Sequence, residues 1–384
     1  MAISVYLLKV FNIFGVWRPD QFQSHFKRLF YLIHTLFIVG TVSTFFISLV
    51  INVLLMIEVE IEDFADNTFL LVTIFTSLCK IVSLLIHQRA IESFIDIFNN
   101  DVCKPKSIEE IEKQNVSEKN MRLWILFYES FVGLAVVTVV SGSFISRTLP
   151  FNAWIPFEHK TFIGFWCAYV HQCFAETCCA AIGSCVDLLF CNLLNLACAQ
   201  LNILKSRLQS IPSTISEASK DGPLHSESTK DLEARILGKC VRHHLHIIKF
   251  VKSVNETFGT VIFIQCAVST YVLCISTYMI TTLPLGSEFS FLIAYMITML
   301  SQIYLYCWHG NELMLQSVNV HNALYAMDWP ILTIGTQKKL IMIVSRSFKP
   351  LSFQCGGIIV LSLDTYTKLL KLSYSIYNFL KTSE

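Results

Sequence analysis

The residues best placed to do chemistry are polar groups set inside apolar sequence. Between Ile358 and Glu384, the residues Asp364, Lys371, Ser375, Asn378 and Thr382 recur at spacings of 7, 4, 3 and 4. On a helix advancing about 100° per residue they fall within about 40° of Asp364. Leu363, Leu370, Leu372, Ile376 and Phe379 are expected on the opposite side. A polar stripe inside a membrane faces protein or water, because unpaired polar groups in lipid are expensive. Two readings follow. Several copies around an axis could wall a wet pore, or the stripe could be held to a neighbouring helix by hydrogen bonds. In a pore, Lys371, Ser375, Asn378 and Thr382 would line the path, and Phe379 and Leu380 would narrow it. Lys371 opposes cations unless it lies at a wider end or pairs with Asp364 two turns away.

Other ionisable residues sit in apolar stretches: Lys80, Glu129, Glu176, Asp187, Glu256 and Glu312. A charge at mid-membrane costs roughly 2.5–3.5 kcal/mol on insertion scales, so these groups are expected to pair or to snorkel near inner ends. His243, His244 and His246, with Lys and Arg nearby, read as part of a cytoplasmic helix rather than a metal site. No Ser/His/Asp set, phosphate loop or zinc spacing occurs, so no enzyme, cofactor or metal is expected. The 14 cysteines lie mostly in apolar runs with no CxxC pair, and read as small hydrophobes.

Composition says what must position these groups. Of 384 residues, 54% are hydrophobic and 15% charged, where soluble domains carry about 25% charged. Mean hydropathy is +0.56. Such a chain needs lipid as solvent, and a net charge of +1 gives no basic field for nucleic acid. Segments of about 20 apolar residues appear at 29–57, 65–87, 123–146, 161–199, 250–282, 289–315 and 350–380. The fourth acquires Asp187, Asn192, Asn195 and Gln200, and its second half is expected to leave the lipid as a solvated helix. Residues 1–16, with Ile3, Leu7, Val10, Phe11 and Phe14 on one side, predict a short helix on the inner membrane face.

Orientation follows from Lys and Arg in the connections. They are plentiful in 1–28, 88–122, 200–249 and 316–349, sparse in 147–160, and absent from 58–64 and 283–288. The alternation predicts an all-α, seven-span membrane protein with its N-terminus in the cytoplasm and its C-terminus outside, inverted relative to G-protein-coupled receptors. The expected division is a cytoplasmic segment at 1–28 and spans one to four at 29–199. A cytoplasmic loop follows at 200–249, then spans five and six with an anchoring region at 250–349, and a pore-lining helix at 350–384. The sequons at Asn115 and Asn255 fall inside or within a span, so neither is expected to be glycosylated. No proline interrupts the middle of a span, unlike the broken helices of many transporters.

From residue 231 onward the chain resembles the insect odorant receptor family. The resemblance rests on Cys240, Arg242, His243, His244, Ile247 and Phe250, then Gln265 and Cys274. It continues through Tyr306, Cys307, Gly310, Leu313 and Ser317, then Ala323, Tyr325 and Trp329. Arg346, Ser347 and Pro350 follow, then Leu361, Ser362, Leu363, Tyr366, Leu370, Lys371, Ser373, Tyr374 and Ser375. The first 230 residues match mainly in layout. The resemblance implies an odorant-gated, non-selective cation channel, built as a heterotetramer with the odorant receptor coreceptor. It also implies a plasma-membrane location in the dendrite of an olfactory sensory neuron. The short second cytoplasmic loop points to a tuning subunit. Alternatives are a gustatory receptor channel of the same superfamily, for which Lys371 and Leu372 stand where Gln-Phe is expected, and a metabotropic seven-helix receptor.

The same resemblance places a ligand for small volatile molecules among the outer halves of spans two, three, four and six. A pocket for such ligands is apolar with few directional polar groups. Candidates on the outer turns are Phe69 and Thr73, then Val139, Ser143 and Phe144, then Phe165 and Tyr169, and Phe289, Phe291 and Tyr295, with Phe162 and Trp166 nearby.

Overall fold

The computed structural model describes residues 5–18, 25–56, 61–98, 100–158, 161–220, 229–282 and 286–382. Its helices are α1 (Val5–Ile13), α2 (His25–Leu55), α3 (Ile61–Phe98), α4 (Ile108–Ser146), α5 (Phe162–Gln209), α6 (Ile211–Lys220), α7 (Thr229–Thr282), α8 (Ser287–Tyr325), α9 (Ile334–Ser347) and α10 (Leu363–Thr382). Strands β1 (Gln354–Cys355) and β2 (Ile359–Val360) form an antiparallel hairpin before α10.

Among the described residues, α2, α3, α4, α5, α7 and α8 are each long and apolar enough to cross a membrane. The seventh helix, α10, has 20 residues, a reach of about 30 Å. Asp364, Lys368 and Lys371 make it too polar to face lipid all round. The outer ends of the helices lie within a few residues of the apolar boundaries. The inner ends run on: α4 begins at Ile108 rather than 123, and α7 at Thr229 rather than 250. With 54 residues, α7 is about 80 Å long, far beyond the roughly 30 Å hydrocarbon core.

Local sequence explains the helix starts. The Ser107 side chain accepts from Glu110 N (3.1 Å) as the helix cap, and Glu110 Oε2 accepts from the N–H of Lys106, the residue before it (2.6 Å). The Thr161 hydroxyl caps α5 by accepting from Gly164 N (3.2 Å). Gly164 is required there, since a Cβ would lie 2.3 Å from the Glu158 carbonyl oxygen.

Helix α5 is the axle of the fold and packs against α1, α2, α3, α4, α7 and α8. From Ile182 to Leu204, only Asn192, Asn195, Leu196 and Asn202 fall outside the buried set. This corrects the expected solvated second half: Asp187 and Gln200 are buried, enclosed by protein rather than water. A helix apolar all round belongs at the centre of a bundle. The amphipathic start is corrected as well. Leu7 and Phe11 are fully buried and α1 packs on α5, so that apolar face is spent inside the protein.

The last segment departs furthest from expectation. The helix begins at Leu363, not 350, because Gly356 and Gly357 take positive φ values of 57° and 73° and turn the chain back on itself. Gly356 N donates to the Gly259 carbonyl on α7 (3.0 Å), and Leu361 N to the Phe353 carbonyl (3.0 Å). Gly310 lets Leu361 approach α8, since a Cβ there would stand 2.5 Å from Leu361 Cβ.

Candidate ligand cavity and pore-facing helix

Five helices enclose a cavity of about 80 Å³ in the core of the bundle. Helix α3 contributes Thr73, Ile74, Ser77 and Lys80, and α4 contributes Tyr128, Val132 and Val139. Helix α5 adds Glu176, Gly183 and Asp187, α7 adds Gln265, and α8 adds Phe291, Tyr295, Met299 and Gln302. Aromatic rings close the outer end. Phe69 meets Tyr295 edge-on at 5.6 Å, and Phe291 lies 5.7 Å from Tyr295 and 6.4 Å from Phe151. Thr73 Oγ1 and the Tyr295 hydroxyl are 2.5 Å apart and join α3 to α8. The loop above is clamped to α5, as Gln172 Oε1 accepts from Phe151 N and Gln172 Nε2 donates to Phe151 O, both at 3.2 Å.

The inner end of the cavity is polar. Lys80 Nζ lies 2.7 Å from Asp187 Oδ1, with both side chains under 5% exposed. Tyr306 donates to Asp187 Oδ1 (2.5 Å), and Gln302 Nε2 (2.5 Å) and Tyr128 (3.3 Å) donate to Oδ2. Asp187 thus joins α3, α4, α5 and α8 through one carboxylate. Several donors around a buried charge are what offsets its desolvation. Asp187 and Lys80 were visible in the sequence as ionisable residues in spans. Tyr306 was visible only as part of the family resemblance, and Tyr128 and Gln302 gave no signal, because α4 and α8, far apart in sequence, bring them to Asp187. Other in-span carboxylates are handled separately: Glu129 accepts from Ser184 (3.0 Å), Glu256 faces Lys252 (3.7 Å) and Glu312 accepts from Gln316 (2.7 Å).

Helix α10 has two unlike sides. Tyr366, Leu369 and Tyr377 pack against the core, and Ser373 is buried. Their mean direction is about 180° from the polar stripe. Asp364, Lys371, Ser375 and Asn378 are all exposed, so the stripe faces away from the subunit's own bundle. The apolar side differs from expectation: Leu372 and Ile376 are exposed flanks, and aromatic residues supply the packed face instead. Asp364 pairs with Lys368 (2.6 Å) rather than Lys371. The side chains of Phe379, Leu380 and Thr382 lie outside the described residues.

A family model described as 7tm Odorant receptor matches residues 60–374. The chain belongs to this odorant receptor family. It is 26% identical to Odorant receptor 10 of Aedes albopictus over 182 residues, covering 47% of this chain and 46% of that one. It is 23% identical to Odorant receptor Or1 of Anopheles gambiae over 350 residues, 85% of this chain and 82% of the relative. With the first of these and with Odorant receptor Or2 of Anopheles gambiae, the chain spans about half the relative's length. The structure of the olfactory receptor OR5 from Machilis hrabei in complex with eugenol aligns with a TM-score of 0.83 at 15% identity, covering 99% of this chain and 97% of that one. The fold is therefore the seven-helix odorant receptor fold, with a cytoplasmic N-terminus, in a multi-pass membrane protein.

Within this odorant receptor fold, Thr73, Val139, Phe291 and Tyr295 come together at the cavity, and Phe69 buttresses Tyr295. The others stand apart from it. Tyr169 donates to the Val140 carbonyl (2.8 Å) and stacks on Phe165 at 6.1 Å. Phe144 is exposed beside Trp166, which also meets Phe162 at 6.3 Å. Ser143 bonds within its own helix to Val139 O (2.8 Å), and Phe289 is half-buried. A roomier concavity, about 1180 Å³, is an open groove on the inner half. Glu109, Glu112, Lys113, Trp124 and Trp308 are among its lining residues. Beside it Arg207 makes a two-pronged contact with Glu110, Nε to Oε1 at 2.8 Å and Nη2 to Oε2 at 2.9 Å. His243 Nε2 meets Gln200 Oε1 at 2.6 Å, so that histidine belongs to a polar cluster joining α5 and α7.

Proposed function

We propose that the chain is the tuning subunit of an odorant-gated, non-selective cation channel, assembled as a heterotetramer with the odorant receptor coreceptor in the plasma membrane of an olfactory sensory neuron dendrite. The observation that carries this reading is the two-sidedness of α10. Its aromatic face is used by the subunit itself, and the opposite polar stripe needs water or a neighbouring subunit. Several such helices about an axis supply both. Lys371, Ser375 and Asn378 then face the ion path, with Phe379, Leu380 and Thr382 towards its outer end.

The ligand is a small volatile molecule held in the cavity between α3, α4, α5, α7 and α8. The eugenol complex of the Machilis hrabei receptor supports a ligand of that size in this fold. Shifting a channel from 1:99 to 99:1 open takes about 5.5 kcal/mol of differential affinity, which several subunits can share.

The test is electrophysiological. Asn378→Leu is expected to lower unitary conductance when co-expressed with the coreceptor, and Lys371→Glu to raise the preference for cations over anions. Unaltered conductance and reversal potential in both variants would show that α10 does not wall the pore.

A further inference from the structure

The cavity walls leave two of their own acceptor atoms unsatisfied. Gln265 is buried. Its Nε2 donates to Ser269 Oγ (2.8 Å) and Gln302 Oε1 (2.9 Å), yet its Oε1 accepts nothing. Glu176 also lines the cavity. The residue is half-buried, and its Oε2 is shielded from solvent and has no partner. The other charges at the cavity, Lys80 and Asp187, neutralise each other. Four nearby hydroxyls are already committed: Thr73 donates to Phe69 O, Thr76 to Thr73 O, Thr298 to Ala294 O and Ser184 to Glu129. The rest of the wall is largely apolar, with Ile74, Val132, Val139, Phe291 and Met299.

Buried polar atoms are almost always bonded, and an open acceptor in a dry site is unfavourable until a donor reaches it. Two open acceptors lining one cavity therefore describe the missing group. We propose that this cavity selects small, mostly apolar ligands carrying one protic end, a hydroxyl or an amino group, whose hydrogen is accepted by Glu176 or Gln265. The inference rests on the reading of this cavity as the ligand site. Esters, ketones and ethers lack that hydrogen and bring another lone pair against these oxygens. A water donating to one of these oxygens in the unliganded protein is replaced there by a protic ligand, but not by an acceptor-only one.

The test uses the full chain co-expressed with the coreceptor, ligand-evoked current, and four probes on one ring skeleton: benzyl alcohol, benzylamine, benzaldehyde and toluene. Half-maximal concentrations for the two protic probes are expected to lie about tenfold or more below that of benzaldehyde, equivalent to about 1.4 kcal/mol. In the Glu176→Ala, Gln265→Leu double variant the gap closes. Glu176→Gln, nearly the same in shape, serves where the double variant fails to reach the surface, and is expected to reduce the benzylamine response more than the benzyl alcohol response. Val139→Cys treated with a small thiol reagent separates the two levels of the argument, with the untreated variant and the treated wild type as controls. If treatment blocks the current but benzaldehyde is as potent as benzyl alcohol, or neither protic probe acts, the ligand class is wrong and the cavity stands. If treatment leaves the current intact, the cavity itself is not the ligand site.

Discussion

Replacing Lys80 by Met tests the centre of the fold. The substitution leaves the Asp187 carboxylate with the hydroxyls of Tyr306 and Tyr128 and the amide of Gln302, but with no counter-charge. Two effects then oppose each other. Insertion of α3 is eased by about 2.5–3.5 kcal/mol, because a lysine has left mid-membrane. The folded bundle loses about 3–5 kcal/mol, because one partner of a buried pair has gone. At 1.4 kcal/mol per factor of ten, the second effect lowers the equilibrium constant for assembly by about a hundredfold or more. The signature is a protein that inserts normally but fails to assemble. Asp187→Asn alone is expected to behave similarly, while the double variant loses about as much as either single rather than their sum, a coupling of about 3 kcal/mol. Membrane insertion is read from protease protection of tagged loops, and assembly from surface labelling and the thermal midpoint of the solubilised complex. Additive single effects, or Lys80→Met indistinguishable from the parent, would refute the claim that this pair organises the bundle.

Arg207→Ala strands the Glu110 carboxylate, which is 8% exposed. A loss of about 1.5–3 kcal/mol is expected for a charge-assisted contact, seen as reduced surface level and lower thermal midpoint, with Arg207→Lys recovering only part because lysine cannot make the two-pronged contact. Gly310→Ala puts a methyl 2.5 Å from Leu361 Cβ and 2.7 Å from the Leu361 carbonyl oxygen. About 1–3 kcal/mol of overpacking is expected, and because it falls where α10 starts, the open probability at saturating ligand is expected to change at matched surface level.

The spans and their orientation were readable because lipid and the translocation machinery impose simple rules on each segment alone: apolar length and the side that carries Lys and Arg. Those rules stop at the lipid boundary. Helix α4 therefore began fifteen residues earlier than hydropathy placed it, along a solvated turn with Glu109 paired to Lys113 (2.6 Å). The second half of α5 was misplaced for a related reason. Asn192, Asn195 and Gln200 look solvated in one dimension, yet polar atoms satisfied by other helices can be buried, as Gln200 is by His243. The hairpin before α10 was hidden because its strands are only two residues each, while Gly356 and Gly357 were masked by apolar neighbours. At the cavity, Thr73, Val139, Phe291 and Tyr295 were legible from depth and character. Glu176, Gln265 and Gln302 were not, since their role depends on which helix faces which.

The glycine-turned hairpin has a mechanical consequence. Its backbone is fastened to α7 at Gly259, and Gln265 of the cavity wall lies on the same helix six residues further on, about 9 Å along the axis. A helix is stiff over so short a stretch, so displacement of α7 at Gln265 is transmitted to the clip at Gly259. The base of α10 then travels with it, and a displacement at the cavity wall reaches α10 through a lever less than two turns long.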